Sequence, residues 1–296
     1  PWKDKVTPAG RGSTGATGSL GTDPGPADVA VWHWKDADVM SRQKLSAGQD
    51  QRRNLLGIWH VDTGAFTAIG KDFQETIQPI RRTHLALVTE WGKYAMARSI
   101  GRGAGDLLLA DLDTGARTPL KANVGGNAQV STNGKYVLFT EKDHWWTINL
   151  ATKAVTNLTL KVPTVFVNKD SDQTTAQKPM FGAGGWLKDD AGVLLYDKYD
   201  IWQVTPDGSS AKKLTNGAAD MVTHRMASVE AAPDGVDLAK TQYLSLFGTR
   251  TKKSGYARLS AGNVERLVFD DKAIGGLGKA RDADVYIHTA QRYDDS

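Results

Sequence analysis

The sequence predicts an all-β protein built from repeated four-stranded antiparallel sheets, the architecture of a β-propeller. The first observation is residues 186–217, in which two β-rich runs and the start of a third are separated by turn signals. Pro206-Asp207-Gly208 is the strongest of these signals, because proline presets its φ angle and glycine adopts a positive φ at little cost. The second observation is that the pattern recurs at residues 127–159, and both stretches end on a Leu-Thr pair.

Partial copies of the same pattern occur at residues 55–69, 107–120 and 256–269. The outer turns of all the copies follow one another at intervals of 38 to 55 residues. Repeats of about 40–50 residues with about four strands each are typical of a β-propeller. We therefore expect about five blades in this chain, alone or as part of a seven- or eight-bladed ring. The complete or nearly complete units are predicted at residues 76–120, 127–159, 181–216 and 225–269.

The composition favours a folded globular protein and excludes several kinds of chemistry. Of the 296 residues, 40% are hydrophobic and 24% are charged, which is ordinary for globular domains. The net charge of +4 is small for this length and the basic residues are scattered, so nothing favours a nucleic-acid partner. No apolar run approaches the ~18 residues of a membrane span. The absence of cysteine excludes disulfides, thiol catalysis and cysteine-bound metals.

Two regions are predicted, a flexible segment at residues 1–27 that is rich in Gly, Pro, Ser and Thr, and a propeller domain at residues 28–296. The segment matches G-x-G-x-x-G at residues 10–15, but no strand precedes the match and no amphipathic helix follows it, so we expect a linker. The convincing helix candidate spans residues 36–53, with Asp36 at its N-cap. Nothing at the N-terminus resembles a signal peptide or an initiator methionine, and we expect the chain to be part of a longer protein.

Three features resemble functional motifs, and each has a simpler structural explanation. His33 lies between two tryptophans in an alternating run, where packing in an aromatic strand is the more common role. Asn168, Asp170 and Asp172 alternate like the start of a calcium loop, but glutamine replaces the required glycine and proline replaces the closing glutamate. The glycine-rich residues 101–105 lack the Lys-Ser/Thr of a phosphate loop, so we interpret them as a hairpin connection.

The sequence therefore assigns no catalytic, cofactor-binding or metal-binding residue. The longest non-repetitive insertion, residues 163–179, is where a binding function is expected on a repeat scaffold. Four tryptophans in strand-like runs are predicted to pack within or between blades and not to form a ligand cage. They are Trp145, Trp146, Trp186 and Trp202.

Several of these segments resemble known propellers. Residues 131–136 (STNGKY), followed by the Leu-Thr strand ends, are similar to the repeat of TolB-like (PD40) and peptidase propellers. More specifically, residues 31–45, 184–209 and 244–259 resemble the N-terminal propeller of bacterial prolyl-oligopeptidase-like serine peptidases, the S9 group. The resemblance covers most of residues 28–290.

The S9 resemblance implies a propeller stacked on an α/β-hydrolase domain, with the propeller admitting peptides and excluding folded proteins. The hydrolase domain would carry its serine in a Gly-x-Ser-x-Gly elbow. Ser13 and Ser19 are the nearest matches, and neither has glycine at both flanking positions. We therefore expect the catalytic domain to be absent here and this chain to show no peptidase or esterase activity. The resemblance favours a periplasmic or secreted location.

Three functional hypotheses remain open. The first is a non-catalytic, substrate-gating propeller of an S9-like peptidase, which needs a hydrolase domain as its partner. The second is a free-standing TolB-like propeller that binds a protein or peptide. The third is a propeller enzyme, such as a glycosidase or lyase, with carboxylates or histidines that converge on the axis. Sialidase-type Asp boxes do not support the third hypothesis, since asparagine replaces the aspartate at residue 133.

The ends of the chain suggest how the blades are completed. The hairpin at residues 55–69 has no obvious inner strands beside it, and the strand at residues 284–290 has no outer partners. Propellers commonly build one blade from both termini, because this removes two exposed sheet edges. We therefore expect these two pieces to join in one composite blade. The alternative is an open arc.

Overall fold

The structure is a computed structural model of the chain, and it describes His33, Asp36 and residues 40–99, 101, 103–175, 177–292 and 294. The predicted flexible segment at residues 1–27, with its glycine motif, lies outside these residues. In the described part the strands follow one another in antiparallel sheets. The prediction of an all-β fold is confirmed.

The sheets follow the order of the chain. The first sheet and the last are hairpins, formed by β1 (Gly57–Trp59) with β2 (Phe66–Ala68) and by β18 (Ala273–Lys279) with β19 (Tyr286–Gln291). The second sheet contains β3 (Glu75–Pro79), β4 (Leu85–Glu90), β5 (Ala104–Asp111), β6 (Arg117–Val130), β7 (Tyr136–Glu141), β8 (His144–Asn149) and β9 (Val155–Asn157). The third contains β10 (Ala183–Trp186), β11 (Val193–Tyr196), β12 (Ile201–Val204) and β13 (Ala211–Lys213). The fourth contains β14 (Val222–Ala227), β15 (Gln242–Gly248), β16 (Ser254–Ser260) and β17 (Asn263–Asp270).

The helices are short and lie outside the sheets. The helix predicted at residues 36–53 is found as α1 (Met40–Asp50), and residues 37–39, where its start was predicted, lie outside the described residues. The Asp36 carboxylate accepts a hydrogen bond from the backbone N–H of His33 at 2.9 Å. The other helical elements are α2 (Ala95–Ser99) and the 3-10 turns Gly92–Tyr94, Lys188–Asp190 and Gly217–Ala219. No helix in the described ranges is long and apolar enough to cross a membrane.

The seven-stranded sheet consists of two blades that share β6. The first part of this 14-residue strand pairs with β5 as far as Gly125, and its last residues pair with β7. Between these parts the register shifts, and Gly126 adopts a φ of +74°, which glycine tolerates without strain. The strand is therefore the outer strand of one blade and the inner strand of the next.

With this division, the chain forms a β-propeller with four four-stranded blades between two hairpins. We number the blades in chain order. The two hairpins are blade 1 (β1–β2) and blade 6 (β18–β19). Between them lie blade 2 (β3 to the first part of β6), blade 3 (the last part of β6 to β9), blade 4 (β10–β13) and blade 5 (β14–β17). Blades 2 to 5 coincide with the four units predicted from the sequence, which confirms the propeller assignment.

The expected composite blade is not formed. β1 pairs only with β2, and β19 pairs only with β18, so the two hairpins belong to separate sheets. Each hairpin instead packs on its neighbour in sequence, and the Tyr243 and Tyr286 rings of blades 5 and 6 lie 4.7 Å apart. The entropy cost of closing a loop grows with its length, so contacts between neighbouring hairpins cost less than pairing β1 with β19, which brings both ends of the chain together. Among the described residues the blades form an arc without a closing strand pair.

Neighbouring blades pack face to face, because successive residues of a strand point to opposite faces of its sheet. In β7, Val137 and Phe139 face the core shared with blade 2, whereas Leu138 faces the core shared with blade 4. In β11, Leu194 faces blade 5 and Leu195 faces blade 3. Four such cores join blades 1 to 5 in sequence order.

The four predicted tryptophans pack in these cores, as expected. Trp145, Trp186 and Trp202 are buried in the core between blades 3 and 4. Trp146 is partly buried against the core between blades 2 and 3, where its ring stacks on Phe139 with 6.4 Å between centroids. None of the four is placed as an exposed ligand cage.

The turn at residues 131–135, which carries the repeat motif, joins blade 3 to blade 4. The Ser131 hydroxyl donates to the buried Asp190 carboxylate at 2.7 Å, and the backbone N–H of Asn133 donates to the same carboxylate at 3.0 Å. Gly134 has a φ of +72°, and a Cβ there would meet the Ile80 side chain at 2.3 Å. The motif therefore supplies hydrogen bonds between this turn and blade 4, and its glycine lets the turn pack closely against Ile80.

A buried ion pair lies within blade 2, and its arginine also reaches the chain that follows blade 1. The Arg117 guanidinium donates to both oxygens of Glu75, at 2.7 and 3.0 Å, and to the Ile69 carbonyl at 2.6 Å. Burial alone would raise the pKa of the Glu75 carboxyl, but the Arg117 hydrogen bonds, two backbone N–H donors and the Arg117 charge lower it below its ordinary value. Glu75 is therefore ionised at neutral pH.

Replacing Trp202 with alanine should destabilise the protein by about 3–5 kcal/mol, because it empties a buried aromatic site. The change also removes the indole hydrogen bond to Asp197 at 2.7 Å. Chemical denaturation followed by far-UV circular dichroism measures the effect. The matched control is Trp59→Ala, whose side chain is 69% exposed and whose loss should cost less than about 1 kcal/mol. Equal costs for the two variants would contradict the packing described here.

Glu75→Gln should destabilise the protein by about 3 kcal/mol near pH 7, because it removes the buried carboxylate of the pair and leaves Arg117 only the partly exposed Glu90, at 2.7 Å, as an anionic partner. A carboxyl with a lowered folded pKa stabilises the fold above its unfolded pKa, and this contribution is lost as pH falls through the folded pKa. The difference between wild type and variant should therefore shrink on acidification below about pH 4.5. Denaturation at several pH values measures this trend.

The control for this experiment is Glu265→Gln, which breaks an exposed pair with Arg258 at 2.8 Å. Exposed pairs contribute about 0–1 kcal/mol, so this variant should differ little from wild type at any pH. A cost for Glu75→Gln that stays constant from neutral to acidic pH would contradict the role assigned to its charge.

Candidate functional site

The two longest connections at one end of the blades mark the candidate site. In an antiparallel blade, the connection after the second strand and the connection after the fourth leave the same end of the sheet. We call this the loop end, and it carries residues 91–103, after β4, and residues 158–182, after β9. We call the opposite end, where the first and second strands join, the hairpin end.

The connection at residues 91–103 is fixed to the blade by Asp106 of β5. Its carboxylate accepts a hydrogen bond from the Tyr94 hydroxyl at 2.6 Å and one from the backbone N–H of Asn123 at 2.9 Å, and it forms an ion pair with Lys93. Burial would raise the pKa of Asp106, but the Lys93, Tyr94 and Asn123 hydrogen bonds lower it below its usual value. The Asp106 carboxylate therefore holds Lys93 and Tyr94, at the start of this connection, close to Asn123 of β6.

The connection at residues 158–182 is fixed by its apolar and polar contacts with blade 4. Phe166 is buried in the core between blades 3 and 4. The Thr164 hydroxyl donates to the Asp197 carboxylate at 2.9 Å, and the Asp170 carboxylate pairs with the Lys198 ammonium at 2.7 Å. The connection at residues 158–182 is therefore packed against blade 4 by a buried aromatic ring, a hydrogen bond and an ion pair.

The residues that resemble a calcium loop have other partners. Asp170 pairs with Lys198, as described above. The Lys178 ammonium donates to the carbonyls of Ser171 at 2.8 Å and Gln173 at 2.7 Å, so a cation of the chain already binds oxygens of this loop. Within the described ranges, no group of three His, Asp or Glu side chains is arranged to hold a metal ion.

A cleft of about 770 Å³ lies between the two long connections. A second cavity of about 360 Å³ runs from it along the inner strands of blade 2 and shares Gly103, Ala104 and Gly126 with it. Together the two cavities form one elongated space along blade 2. The cleft walls include Tyr94, Thr140, Lys142 and Pro179.

The floor of the cleft is backbone. Residues 126–128 have no register partner in β5, whose pairing ends at Gly125, and none in β7, whose pairing resumes at Gln129. Gly126 lines both cavities and Ala128 lines the smaller one. Backbone N–H and C=O groups are obligatory hydrogen-bonding groups, so an uncovered strand segment is a natural place for another chain to pair.

The charges around the cleft are unevenly balanced. Its acidic residues are paired within the fold, Asp106 with Lys93 and Glu141 with Lys121 at 3.1 Å. Arg98 lines the smaller cavity, with its guanidinium 4.7 Å from the centroid of the Trp91 ring, and Lys142 lines the larger one. In the part of the chain that the structure describes, neither cation has a carboxylate within 4.0 Å. The cleft therefore carries uncompensated positive charge.

The hairpin end is bridged by residues 228–241, a connection between β14 and β15 that we call the strap. Val236 exchanges backbone hydrogen bonds with blade 4, at 2.8 Å to the Trp186 carbonyl and 3.0 Å from the Lys188 N–H. Asp234 pairs with Arg82 of blade 2 at 3.0 Å. The strap thus links the inner-strand ends of blades 5, 4 and 2.

The histidines do not converge on a common site. His33 is exposed, His224 is buried in blade 5, and His144 contacts the Thr159 hydroxyl at 3.0 Å. His60 and His84 both face Asp113 at the hairpin end, at 4.0 and 2.9 Å. His60, His84 and Asp113 therefore lie at the end opposite the cleft, and they are not arranged to hold a metal ion.

Sequence reasoning identified one wall of the cleft and missed the rest. Residues 163–179 were expected to carry binding function, and they form part of the 158–182 wall. The glycine-rich residues 101–105 are interpreted from the sequence as a hairpin connection, and Gly101, Gly103 and Ala104 of that stretch also line the cleft. Arg98 and Lys142 gave no signal in the sequence, because their placement on adjoining cavities depends on how blades 2 and 3 pack. The length of the connection at residues 91–103 was the available clue.

The strand order and register define the chain as a β-propeller domain with a cleft at its loop end. No protein-family model matches the sequence, and no curated protein matches it. Solved structures similar to the chain include one assigned as TolB from Agrobacterium tumefaciens, with 12% identity, a TM-score of 0.39, and 70% of each chain covered.

Two peptidase structures are also similar to the chain. The acylaminoacyl peptidase of Pyrococcus horikoshii has 12% identity and a TM-score of 0.34, over 66% of this chain and 32% of that one. The propeller domain of the Trilobed protease from Pyrococcus furiosus has 11% identity and a TM-score of 0.28, over 69% and 75% of the two chains. The same two groups, TolB and serine peptidases, are those that the sequence motifs resemble.

Asp106→Ala should loosen the connection at residues 91–103, because it removes the acceptor for Tyr94, Lys93 and Asn123 together. Loss of such a satisfied acceptor costs about 1–3 kcal/mol. Hydrogen exchange of a peptide covering residues 91–103 should speed up accordingly. The control is Asp172→Ala, an exposed carboxylate in the other long connection, which should leave this exchange unchanged. Unchanged exchange in Asp106→Ala would show that the loop is held by something else.

Proposed function

We propose that this chain is a non-catalytic β-propeller domain that binds an extended peptide, from a protein partner or a substrate, in the cleft at its loop end. The observation that carries the proposal is the uncovered backbone of residues 126–128 on the floor of that cleft. Strand addition to such a segment supplies main-chain hydrogen bonds, and side-chain pockets then supply specificity. The rigid anchoring of both walls favours binding, because little ordering is needed when the ligand enters.

The gating role implied by the S9 resemblance is the second candidate. Gating requires a peptide to pass from one end of the propeller to the other, toward a hydrolase domain. The strap at residues 228–241 joins the inner-strand ends of blades 2, 4 and 5 at the hairpin end, which lies across such a path. We therefore favour retention of a peptide at the loop end over its passage.

The proposal is tested with a random peptide library selected on the purified chain, followed by affinity measurement for the selected peptides. Ala97 lines the cleft on α2, so Ala97→Trp should fill it and weaken binding by about tenfold or more. The matched control is Ala211→Trp, on the exposed outer strand of blade 4, which should bind like wild type.

Two results would refute the proposal. One is a library that yields no peptide binder for the folded chain. The other is a set of binders whose affinity is unaffected by Ala97→Trp while circular dichroism shows that the variant is folded. Either result would remove the cleft from consideration as a peptide site.

A further inference from the structure

The uncompensated charge of the cleft indicates what kind of peptide it takes. We infer that the ligand is an extended acidic peptide segment, whose backbone pairs with residues 126–128 and whose carboxylates meet Arg98 and Lys142. This inference rests on the proposed function, since it specifies the ligand of the same cleft. It also goes beyond that function, because peptide binding alone implies no preference for charge.

The two cations are placed where they can serve a ligand. The Arg98 guanidinium lies over the Trp91 ring, 4.7 Å from its centroid, within range of a cation–π interaction. Arg98 lines the cavity that also contains Gly126 and Ala128. Lys142, which adopts a φ of +49° in the tight turn between β7 and β8, lines the adjoining cleft. The cations therefore lie beside the uncovered backbone on both cavities.

The fold itself does not need these charges. Lys93 and Lys121, which lie near the cleft, pair with Asp106 and Glu141, and Lys178, which lines it, donates to the Ser171 and Gln173 carbonyls. Each acidic side chain that lines or supports the cleft thus already has its own partner, and Arg98 and Lys142 are left over. Uncompensated like charges raise the local potential and attract an oppositely charged ligand, which increases its association rate.

The shape of the site favours a peptide over another polyanion. The floor offers the backbone N–H and C=O groups of residues 126–128, which have no register partner in β5 or β7 and with which an extended polypeptide can pair. Gly103, where an added Cβ would meet no atom within 4 Å, leaves room for a second backbone to approach closely. An acidic sugar chain has no regular ladder of N–H and C=O groups to pair with this floor.

The test compares three short fluorescent peptides that alternate threonine with glutamate, with glutamine or with lysine. We expect the glutamate peptide to bind at least about tenfold more tightly than the glutamine peptide, and the lysine peptide to bind most weakly. Raising the salt concentration should weaken binding of the glutamate peptide and leave the glutamine peptide nearly unchanged, because salt screens exposed charges.

Variants assign the effect to the cleft. The double variant Arg98→Glu with Lys142→Glu should lose binding of the glutamate peptide by about tenfold or more, and it should improve binding of the lysine peptide. The control is Lys212→Glu, an exposed lysine on β13 outside the cleft, which should bind like wild type. Circular dichroism confirms that each variant is folded before binding is compared.

Each remaining outcome decides between the inference and the function on which it rests. Equal affinity for the glutamate and glutamine peptides, or neutral and basic sequences among the library binders, overturns the acidic preference and leaves peptide binding intact. Failure of all three peptides together with an empty library overturns both. Tighter binding of an acidic oligosaccharide than of the glutamate peptide, lost in the same double variant, assigns the cations to a different ligand and also overturns the inference.

Discussion

The fold depends on one geometric constraint, the alternation of side chains along the middle strands of each blade. In β7, neighbouring residues Val137 and Leu138 belong to two different cores, one on each side of the sheet. A shift of register by one residue would exchange these faces and mismatch both cores at once. The register is therefore strongly specified wherever a blade has two neighbours. This explains why the middle strands of blades 3 and 4 are almost wholly apolar and buried.

Polar groups complete the packing at the ends of the strands, where turns leave backbone donors without ladder partners. Buried carboxylates fill this role repeatedly. Asp190 accepts from Ser131 and from a backbone N–H of the turn on the neighbouring blade, and Asp197 accepts from Thr164 and from the Trp202 indole. Each carboxylate satisfies donors from more than one element. Loss of any of them leaves several buried groups unsatisfied, which costs more than the net value of one hydrogen bond.

Local signals in the sequence were enough to predict the blades. Turn residues such as Gly208 and Gly134, with period-two alternation between them, identify hairpins without knowledge of distant contacts. The features that sequence reasoning missed are long-range. The pairing of β1 with β19 is expected from the general tendency of sheets to cover their edge strands. In the structure β1 pairs only with β2 and β19 only with β18. Arg98 and Lys142 lie 44 positions apart in the sequence, and they line adjoining cavities because blades 2 and 3 share a strand.

That shared strand also explains why the cleft lies where it does. Between blades 3 and 4, and between blades 4 and 5, a loop leads from the outer strand of one blade to the inner strand of the next. Between blades 2 and 3 the crossover takes place inside β6, so no loop covers residues 126–128. The two longest connections of the loop end, residues 91–103 and 158–182, stand on either side of this gap. The crossover within β6 therefore forms the floor of the cleft, and the two long connections form its walls. Because no loop joins blades 2 and 3 here, the backbone of residues 126–128 is left open to a ligand.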